Sequence, residues 1–211
     1  MRNFKDLIKN LTEEDFKKNR VNLHIHSTFS DGKGDFSSLV DEAEKLGFKY
    51  ISITDHNTML GYDKSQKASS PILIPGAEFD VWCGYVFMHL LSYGADRNHP
   101  EFKKFFSPES KKESDIARLF SKRNLKKLID SIHQAGGIAV LAHPACCWCL
   151  KPERFIKKLV NLGLDGIEIY YPYPRLRGIL KFHSEETFKK AAEKYNLIKT
   201  GGTDCHEKFL E

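Results

Sequence analysis

The feature that most constrains this chain is the segment 21–34, in which apolar residues alternate with two histidines before a polar loop begins. Alternation of this kind is typical of a β-strand, and its period of two places His24 and His26 on the same face. Serines, Asp31 and two glycines follow, a composition typical of a loop. Two imidazoles on one strand face, with a carboxylate just beyond, form half of a metal site. A complete site requires further ligands from elsewhere in the chain.

The composition is that of a globular protein with room for one sizeable core. The chain has 211 residues, of which 41% are hydrophobic and 29% charged. No apolar run approaches the roughly 20 residues that a transmembrane helix needs. Residues 1–18 are charged and amphipathic, and they lack the apolar core of a signal peptide. We therefore expect a cytoplasmic protein whose residues 1–211 form a single domain, with an N-terminal helix over 1–18 that packs on it.

Charge and cysteine usage each permit two interpretations. The net charge is +5, with basic clusters at 103–104, 111–112 and 123–127 that are either solvated helix faces or a cationic approach surface for phosphate-bearing substrates. Five cysteines without a disulfide-framework spacing indicate a reducing compartment. The three within 146–149 line a loop beside an active site, or else their C-x-x-C spacing forms a redox pair or a further metal site.

Predicted strands and helices alternate along the chain, which favours an α/β protein with mostly parallel strands. Strands are predicted at 21–26, 50–56, 72–79, 84–93, 138–144, 166–170 and 197–203. Helices are predicted at 3–18, 35–46, 152–163 and 184–195, and the segment 115–135 is expected to contain one long helix or two shorter ones. The strands at 72–79 and 84–93 are too close for an intervening helix and are expected to pair directly. Residues 95–114 form a polar surface excursion. Seven strands with polar residues at their C-terminal ends predict a distorted (β/α)7 TIM-like barrel.

Nine polar residues at these strand ends are candidate metal ligands. They are His24, His26, Asp31, His56, Glu78, His89, His143, Asp204 and His206. Histidines with carboxylates, and no cysteine, suit Zn, Mn or Fe at a catalytic site. Nine ligands are too many for one ion and suit two or three divalent ions. A shared carboxylate would hold two of them roughly 3.5–4 Å apart, the spacing of two-metal hydrolysis.

Each candidate also has an ordinary structural interpretation when it is taken alone. His89 lies in an apolar run and could be a hydrogen-bonded core histidine, His143 could end a strand, and Glu78 could be a turn residue that faces water. Their joint placement at strand ends is what these separate interpretations do not explain. His99 and His133 lie outside these positions and are expected at the surface.

Seven motifs carry a resemblance to a known family. They are His24-Ile-His26-Ser, Ser-Asp31-Gly, Thr-Asp55-His56-Asn, Pro-Gly-Ala-Glu78, His89, Ala-His143-Pro and Gly-Gly-Thr-Asp204-Cys-His206. In order and in residue type they closely resemble the PHP (polymerase and histidinol phosphatase) metal-dependent phosphoesterases, over residues 21–206. Cys205 stands where family members often have phenylalanine, a change that affects packing more than chemistry.

The resemblance implies a trinuclear metal site on a (β/α)7 barrel. The first metal would be held by His24, His26, Glu78 and Asp204, the second by Glu78, His89 and His143, and the third by Asp31, His56 and His206. Glu78 would bridge the first two ions. Asp55 would orient a neighbouring histidine rather than bind a metal itself.

The chemistry that the resemblance implies is hydrolysis of a phosphate ester by a metal-bridging hydroxide that attacks phosphorus. His183 and His206 are candidates for donating the proton to the leaving group. Asp204 is grouped with them as catalytic. Arg175 and Arg177 follow the sixth predicted strand, where they would clamp a phosphate or remain a solvated pair on a loop.

The substrate is expected to be a small phosphorylated molecule. The segments 166–172 and 200–206 look most like the stand-alone branch of the family that acts on nucleotide phosphates or short oligonucleotides. Four aromatic residues would stack on a base or simply pack at the rim: Trp148, Tyr170, Tyr171 and Tyr173.

Three other functions stay open at this point. A histidinol-phosphate-type phosphatase would use the same site on another small substrate. A C–N hydrolase of amidohydrolase type also uses His-x-His on a barrel, although the Ser-Asp31-Gly motif argues against it. A non-catalytic metal-binding module would be expected to lack ligands, whereas all nine positions are filled. Hydrolysis of a phosphate ester or of a cyclic amide separates the two enzyme classes.

Overall fold

The structure is a computed structural model that describes residues 3–18, 20–64, 71–107, 118–173 and 181–210. The eight strands are β1 (Val21–Ile25), β2 (Tyr50–Ile53), β3 (Ile72–Leu73), β4 (Gly76–Cys83), β5 (Val86–Tyr93), β6 (Ile138–Leu141), β7 (Gly166–Tyr170) and β8 (Ile198–Gly201). The helices are α1 (Phe4–Lys9), α2 (Glu13–Lys17), α3 (Phe36–Lys45), α4 (Gly61–Lys64), α5 (Pro100–Lys103), α6 (Leu125–Gln134), α7 (Pro152–Asn161) and α8 (Glu185–Lys194). A 3-10 turn follows β6 at Pro144–Cys146. The described residues therefore form a mixed α/β fold, as predicted.

The strands form two sheets rather than one continuous barrel. One sheet has the order β1-β2-β3 and is parallel, and the other has the order β4-β5-β6-β7-β8. β5 runs antiparallel to both β4 and β6. The other four strand pairs of the described residues are parallel, so the strands are mostly parallel, as predicted. Single bridges connect the sheets at Ile25–Cys205 and at His56–Glu78. Neither sheet closes on itself within the described residues.

The predicted strand at 72–79 is divided in two by Pro75. Proline lacks the N–H that a sheet ladder requires, so pairing is interrupted at this residue. The Ile74 amide still donates to the Ile51 carbonyl at 2.8 Å, beside β2, whereas β4 pairs along its whole length with β5. The direct pairing of these two neighbouring strands was predicted and is confirmed.

Polar caps set where two of the predicted helical segments begin or divide. Residues 3–18 form α1 and α2, and α2 begins after Thr12, which forms a capping box with Asp15. The helix predicted at 115–135 is represented by α6, which Asn124 caps by accepting from the Lys127 amide at 3.0 Å. The predicted excursion 95–114 contains α5, and residues 108–114 lie outside the described residues.

The N-terminal helices pack against the sheets. Ile8 of α1 is fully buried in an apolar cluster with Leu23 and Tyr93. Phe16 of α2 stacks on Tyr170 of β7 with 5.1 Å between ring centroids. Every helix within the described ranges is too short or too polar to cross a bilayer.

Candidate metal centre

Strand β1 and the residue that follows it present two histidines to the interior of the protein. All five of its residues are buried, and the side chains of His24 and His26 have no solvent exposure. The intervening apolar residues, Leu23 and Ile25, belong to hydrophobic clusters on the other side of the strand. The alternation seen in the sequence therefore separates a polar face from an apolar one, as predicted.

Glu78, the third residue of β4, lies at the centre of the polar cluster. Its Oε1 atom lies 3.3 Å from His24 Nε2, 3.0 Å from His89 Nδ1 and 3.3 Å from His143 Nε2, and its Oε2 atom lies 3.2 Å from His26 Nε2 and 3.3 Å from His56 Nε2. The bridge between His56 and Glu78 brings β4 beside the end of β2. A single buried carboxylate thus faces five imidazoles from four parts of the chain.

Two further carboxylates complete the cluster. Asp204 Oδ1 lies 3.4 Å from His24 Nε2 and 3.1 Å from His26 Nε2. Asp31 Oδ1 lies 3.2 Å from His206 Nε2, and Asp31 Oδ2 lies 3.7 Å from His56 Nε2. All nine residues predicted as ligands are therefore brought together in space.

Donor atoms within 4.8 Å of one another form three groups that could each hold an ion. The groups are His24, His26, Glu78 and Asp204; His26, Asp31, His56 and His206; and His56, Glu78 and His89. The first group equals the predicted first metal set. In the third group His56 stands where His143 was expected, although His143 Nε2 is only 3.2 Å from His89 Nδ1.

Several imidazoles have one nitrogen occupied by a hydrogen-bond partner outside the cluster. His24 Nδ1 lies 3.0 Å from Glu168 Oε1, and His206 Nδ1 lies 2.7 Å from the Asp204 carbonyl oxygen. A carbonyl oxygen and a carboxylate can only accept, so each Nδ1 carries the hydrogen. Each Nε2 then points a lone pair into the cluster, as a metal-binding histidine requires.

Sequence reasoning missed two buried carboxylates that hold the ligands. Glu168 of β7 contacts His24 and also accepts from the His143 amide at 2.8 Å. Asp80 Oδ1 lies 3.2 Å from His89 Nε2 and 3.5 Å from His56 Nδ1. Both carboxylates have no solvent exposure. Two sequence features could have indicated them. Glu168 is an acidic residue within the apolar strand at 166–170, and Asp80 follows Glu78 by two residues, which places both on the same face of a strand.

Electrostatics show that the cluster attracts positive charge. Burial by itself would lower the pKa of His24, His26 and His89, yet the surrounding carboxylates raise the pKa of His26 to about 9 and that of His89 to about 10. The pKa of His24 is also raised well above its usual value, by Glu168, Glu78 and Asp204. Burial lowers the pKa of His56. The carboxylates thus favour cations at this position.

The donor atoms fit divalent metal ions. His24 Nε2, His26 Nε2 and Asp204 Oδ1 are buried without a hydrogen-bond partner among the described residues. A buried polar atom left without a partner costs about 1–3 kcal/mol, and these three converge on the group that contains Glu78. Imidazole and carboxylate donors in such a group are those that Zn, Mn and Fe prefer.

Strained backbone positions two of the ligands. Four non-glycine residues of the described chain have positive φ, and three of them lie in the cluster or next to it: Asn57 (57°), His143 (24°) and Asp204 (50°). Such conformations cost about 1–3 kcal/mol each and persist where the surroundings impose them. The bond from the His143 amide to Glu168 is one such constraint.

A cavity of about 240 Å³ opens onto the cluster. It is lined by seven of the nine candidate ligands and also by Phe87, Met88, Arg118, Cys146 and Cys147. Arg118, which the sequence did not single out, donates from Nη2 to Asp31 Oδ2 at 3.1 Å. A larger cavity of about 690 Å³ lies between α2 and the start of α8 and is lined by none of the nine. We place the site at the smaller cavity because the chemistry lies there.

The other predicted site residues have varied positions. Asp55 accepts from the Ser27 and Ser30 hydroxyls at 2.6 Å each, and Ser30 Oγ lies 3.4 Å from His26 Nδ1, so its contact with a histidine is indirect. His183 Nε2 lies 3.5 Å from Cys149 Sγ, and His183 is not among the described residues that line the 240 Å³ cavity. Arg175 and Arg177 lie outside the described residues.

The structure gives the hydrogen bonds of two of the predicted aromatic residues and the positions of the cysteines at 146–149. Tyr171 donates its hydroxyl to Asp204 Oδ2 at 2.9 Å, and Tyr173 accepts from the Ala145 amide at 3.1 Å, so both hydroxyls have structural roles. Cys146 and Cys147 line the cavity, which confirms that this loop lies beside the site. The C-x-x-C cysteines are free thiols, and burial raises the pKa of Cys149.

Comparisons with known proteins agree with this geometry. The profile of the PHP domain family matches residues 22–197. A phosphoribosyl 1,2-cyclic phosphate 1,2-diphosphodiesterase of Eggerthella lenta is 22% identical over 89% of this chain and 94% of its own length. A 5'-3' exoribonuclease of Haemophilus influenzae is 27% identical over 70% of this chain and 54% of its own length. The structure of a putative metal-dependent phosphoesterase from Bifidobacterium adolescentis has a TM-score of 0.68 at 21% identity, over 89% of this chain and 88% of that one.

A mixed α/β fold with a histidine–carboxylate cluster defines a metal-dependent hydrolase. The chain belongs to the PHP domain family, since the profile covers most of its length. The prediction of a metal-dependent enzyme that hydrolyses phosphate esters is confirmed at the level of this family.

Proposed function

We propose that this chain hydrolyses phosphate esters of nucleotides or short oligonucleotides at the 240 Å³ cavity. The observation that carries the proposal is the carboxylate of Glu78, which lies within 3.3 Å of five imidazoles. Two relatives support the substrate class, because an exoribonuclease and a phosphoribosyl cyclic phosphate diphosphodiesterase both cleave phosphate esters of ribose.

We propose two or three divalent ions, Mn, Fe or Zn, as the cofactors. The ligand sets proposed for the three ions are those predicted from the sequence. His26 and His56 each belong to two of the observed groups, so each could bind either of two neighbouring ions. When bound, such ions supply an activated water and stabilise charge on phosphoryl oxygens. Glu78 belongs to two of the three groups.

The protein's own residues bind the phosphate and hold the ligands in place. Arg118, whose side chain is 10% exposed, supplies a guanidinium at the cavity and takes the phosphate-binding role predicted for Arg175 and Arg177. His206 fits a ligand better than a proton donor, because its Nδ1 hydrogen is held by the Asp204 carbonyl. The Tyr171 hydroxyl fixes the orientation of the Asp204 carboxylate.

We also propose that the two sheets together make one distorted seven-stranded barrel within a single domain. The bridges at Ile25–Cys205 and His56–Glu78 support this arrangement, since the first joins the ends of β1 and β8 and the second joins the end of β2 to β4. The family profile extends across both sheets. β3 and β4 would then count as one strand that Pro75 interrupts.

The proposal is tested by metal content and hydrolysis measured on the same protein. We expect two to three ions per chain by elemental analysis, and Mn-dependent hydrolysis of 4-nitrophenyl phosphate and of a nucleotide that a chelator abolishes and added metal restores. Glu78→Gln should lose both properties, and Glu44→Gln on the exposed side of α3 should keep both. A metal-loaded protein that cleaves a cyclic amide and no phosphate ester would instead be a C–N hydrolase.

A further inference from the structure

The β4–β5 hairpin extends the metal-binding face with a pair of aromatic residues. Its register pairs Asp80 with His89 and, two residues further along the hairpin, Trp82 with Phe87. Side chains two residues apart on a strand share a face, so Trp82 and Phe87 lie on the same face as the metal-site residues. A step of two residues corresponds to about 6.6 Å along a strand.

This aromatic pair does not belong to the hydrophobic core. Two alternate residues of the hairpin, Val81 and Val86, are buried in the largest apolar cluster, on the opposite face. Phe87 instead lines the cavity, and the Trp82 side chain is 37% exposed. Core packing therefore does not account for two large aromatic rings at this position.

Ring contacts run without a break from the metal site to the rim. The Phe87 ring lies edge-on to His89, with centroids 5.4 Å apart, and Trp82 lies 5.2 Å from Phe87. The Trp82 indole nitrogen donates to the Leu119 carbonyl at 2.9 Å, which fixes the ring next to the segment that carries Arg118. Phe87 and Arg118 thus both line the cavity, and Trp82 lies against Phe87 beside it.

We propose that Trp82 and Phe87 form a stacking site for the nucleobase of the substrate, an assignment that rests on the proposed function. In a nucleotide one sugar ring separates the phosphate from the base, and its length is comparable to the distance of two residues along β5 between His89 and Phe87. Every nucleobase presents a π-face, and aromatic side chains stack on it with little sequence preference. A base-free sugar phosphate would leave this pair without a ligand.

The kinetic test compares AMP with ribose 5-phosphate, which differ only by the base. Phe87→Leu removes the aromatic face but keeps an apolar side chain, and Phe87→Trp keeps the face. We expect Phe87→Leu to raise KM for AMP about 5- to 150-fold and to leave KM for ribose 5-phosphate unchanged. Phe87→Trp should retain the wild-type KM for AMP. Phe209→Ala, which removes an aromatic ring that is 63% exposed and does not line the cavity, is the control.

A binding test uses the fluorescence of Trp82. The chain has 2 tryptophans, so Trp148→Phe leaves Trp82 as the only one. In the zinc-loaded protein, AMP should quench this fluorescence and ribose 5-phosphate should not, because only a base stacks on the indole ring.

The outcomes separate this inference from the proposed function. An equal rise of KM for both esters in Phe87→Leu, or no rise for either, would overturn the stacking site while phosphate-ester hydrolysis stands. If wild-type protein hydrolyses neither ester with any metal, the proposed function fails. The fluorescence titration then decides on the stacking site, with AMP-specific quenching in support and identical responses to the two ligands against it.

Discussion

Asp80 and His89 face each other across the β4–β5 hairpin, with Asp80 Oδ1 3.2 Å from His89 Nε2. His89 Nδ1 lies on the other side of the ring, 3.0 Å from Glu78 Oε1. Because the ring nitrogen next to Asp80 must carry the hydrogen, Nδ1 is left as the atom that faces the metal site. The same Asp80 oxygen is 3.5 Å from Nδ1 of His56. One carboxylate therefore sets the orientation of two ligands.

Substitution of Asp80 by asparagine should weaken metal binding without removing a ligand. An amide oxygen is a poorer acceptor than a carboxylate, and loss of such a supporting group costs about 10- to 100-fold in metal affinity or activity. We expect Asp80→Asn to fold and to bind Zn²⁺ more weakly by that factor in a calorimetric titration. Asp41→Asn, on the exposed side of α3, is the matched control. Wild-type affinity in Asp80→Asn would show that this carboxylate does not hold the ligands.

Removal of metal should lower thermal stability, because the ligands are buried and attract positive charge. At a metal concentration of 100 times Kd, one site contributes about 2.7 kcal/mol to the free energy of unfolding. For a chain of this size that corresponds to about 5–10 °C in Tm. Differential scanning fluorimetry before and after chelation measures the shift. Glu78→Gln should show a smaller one, and an unchanged wild-type Tm would contradict metal binding at the cluster.

The candidate ligands could be identified from the sequence because each is a polar residue in a local pattern that does not otherwise require it. His24 and His26 alternate with apolar residues, and His143 ends an apolar strand. The residues that hold the ligands were harder to find, because their role is defined only by distant partners. Glu168 is separated by 144 positions from His24. No local pattern indicates that contact.

The sequence indicated only one of the two antiparallel pairings of β5. The short turn after Cys83 requires β4 and β5 to be antiparallel, as the sequence indicated. The pairing of β5 with β6 joins residues such as Leu90 and Leu141, which are linked through a long connection that permits either direction. The barrel prediction treated Pro75 as part of a strand, although its missing N–H interrupts the ladder there.

Arg118 should contribute to substrate binding more than to metal binding. A charge-assisted hydrogen bond to phosphate contributes about 1.5–3 kcal/mol, so Arg118→Ala should raise KM for a phosphate monoester about 10- to 100-fold. Arg118→Lys should recover part of this loss, because it keeps the charge but not the bidentate geometry. Metal content is measured in parallel, since Arg118 also contacts Asp31. Arg154→Ala, on the exposed side of α7, should leave KM unchanged. An unaltered KM in Arg118→Ala would exclude a phosphate contact.

Asp165 should make the stability of the protein depend on pH in the acid range. Burial raises the pKa of this carboxyl, but hydrogen bonds from His133 at 2.7 Å and from the Ala139 amide at 2.9 Å outweigh it, and the net pKa is lowered from 3.8. A group whose pKa is lower in the folded state stabilises the protein above its unfolded pKa, and this contribution is lost as the pH falls through the folded pKa. Asp165→Asn should therefore lower the free energy of unfolding by about 1–2 kcal/mol at pH 7 and by less near pH 3. The expected loss is kept to this range because the Asp165–His133 pair is partly exposed to solvent. Urea unfolding at both pH values measures the difference, with Asp130→Asn in an exposed pair with Lys126 as the control. A loss of equal size at both pH values would mean that the carboxylate charge is not the source of the stabilisation.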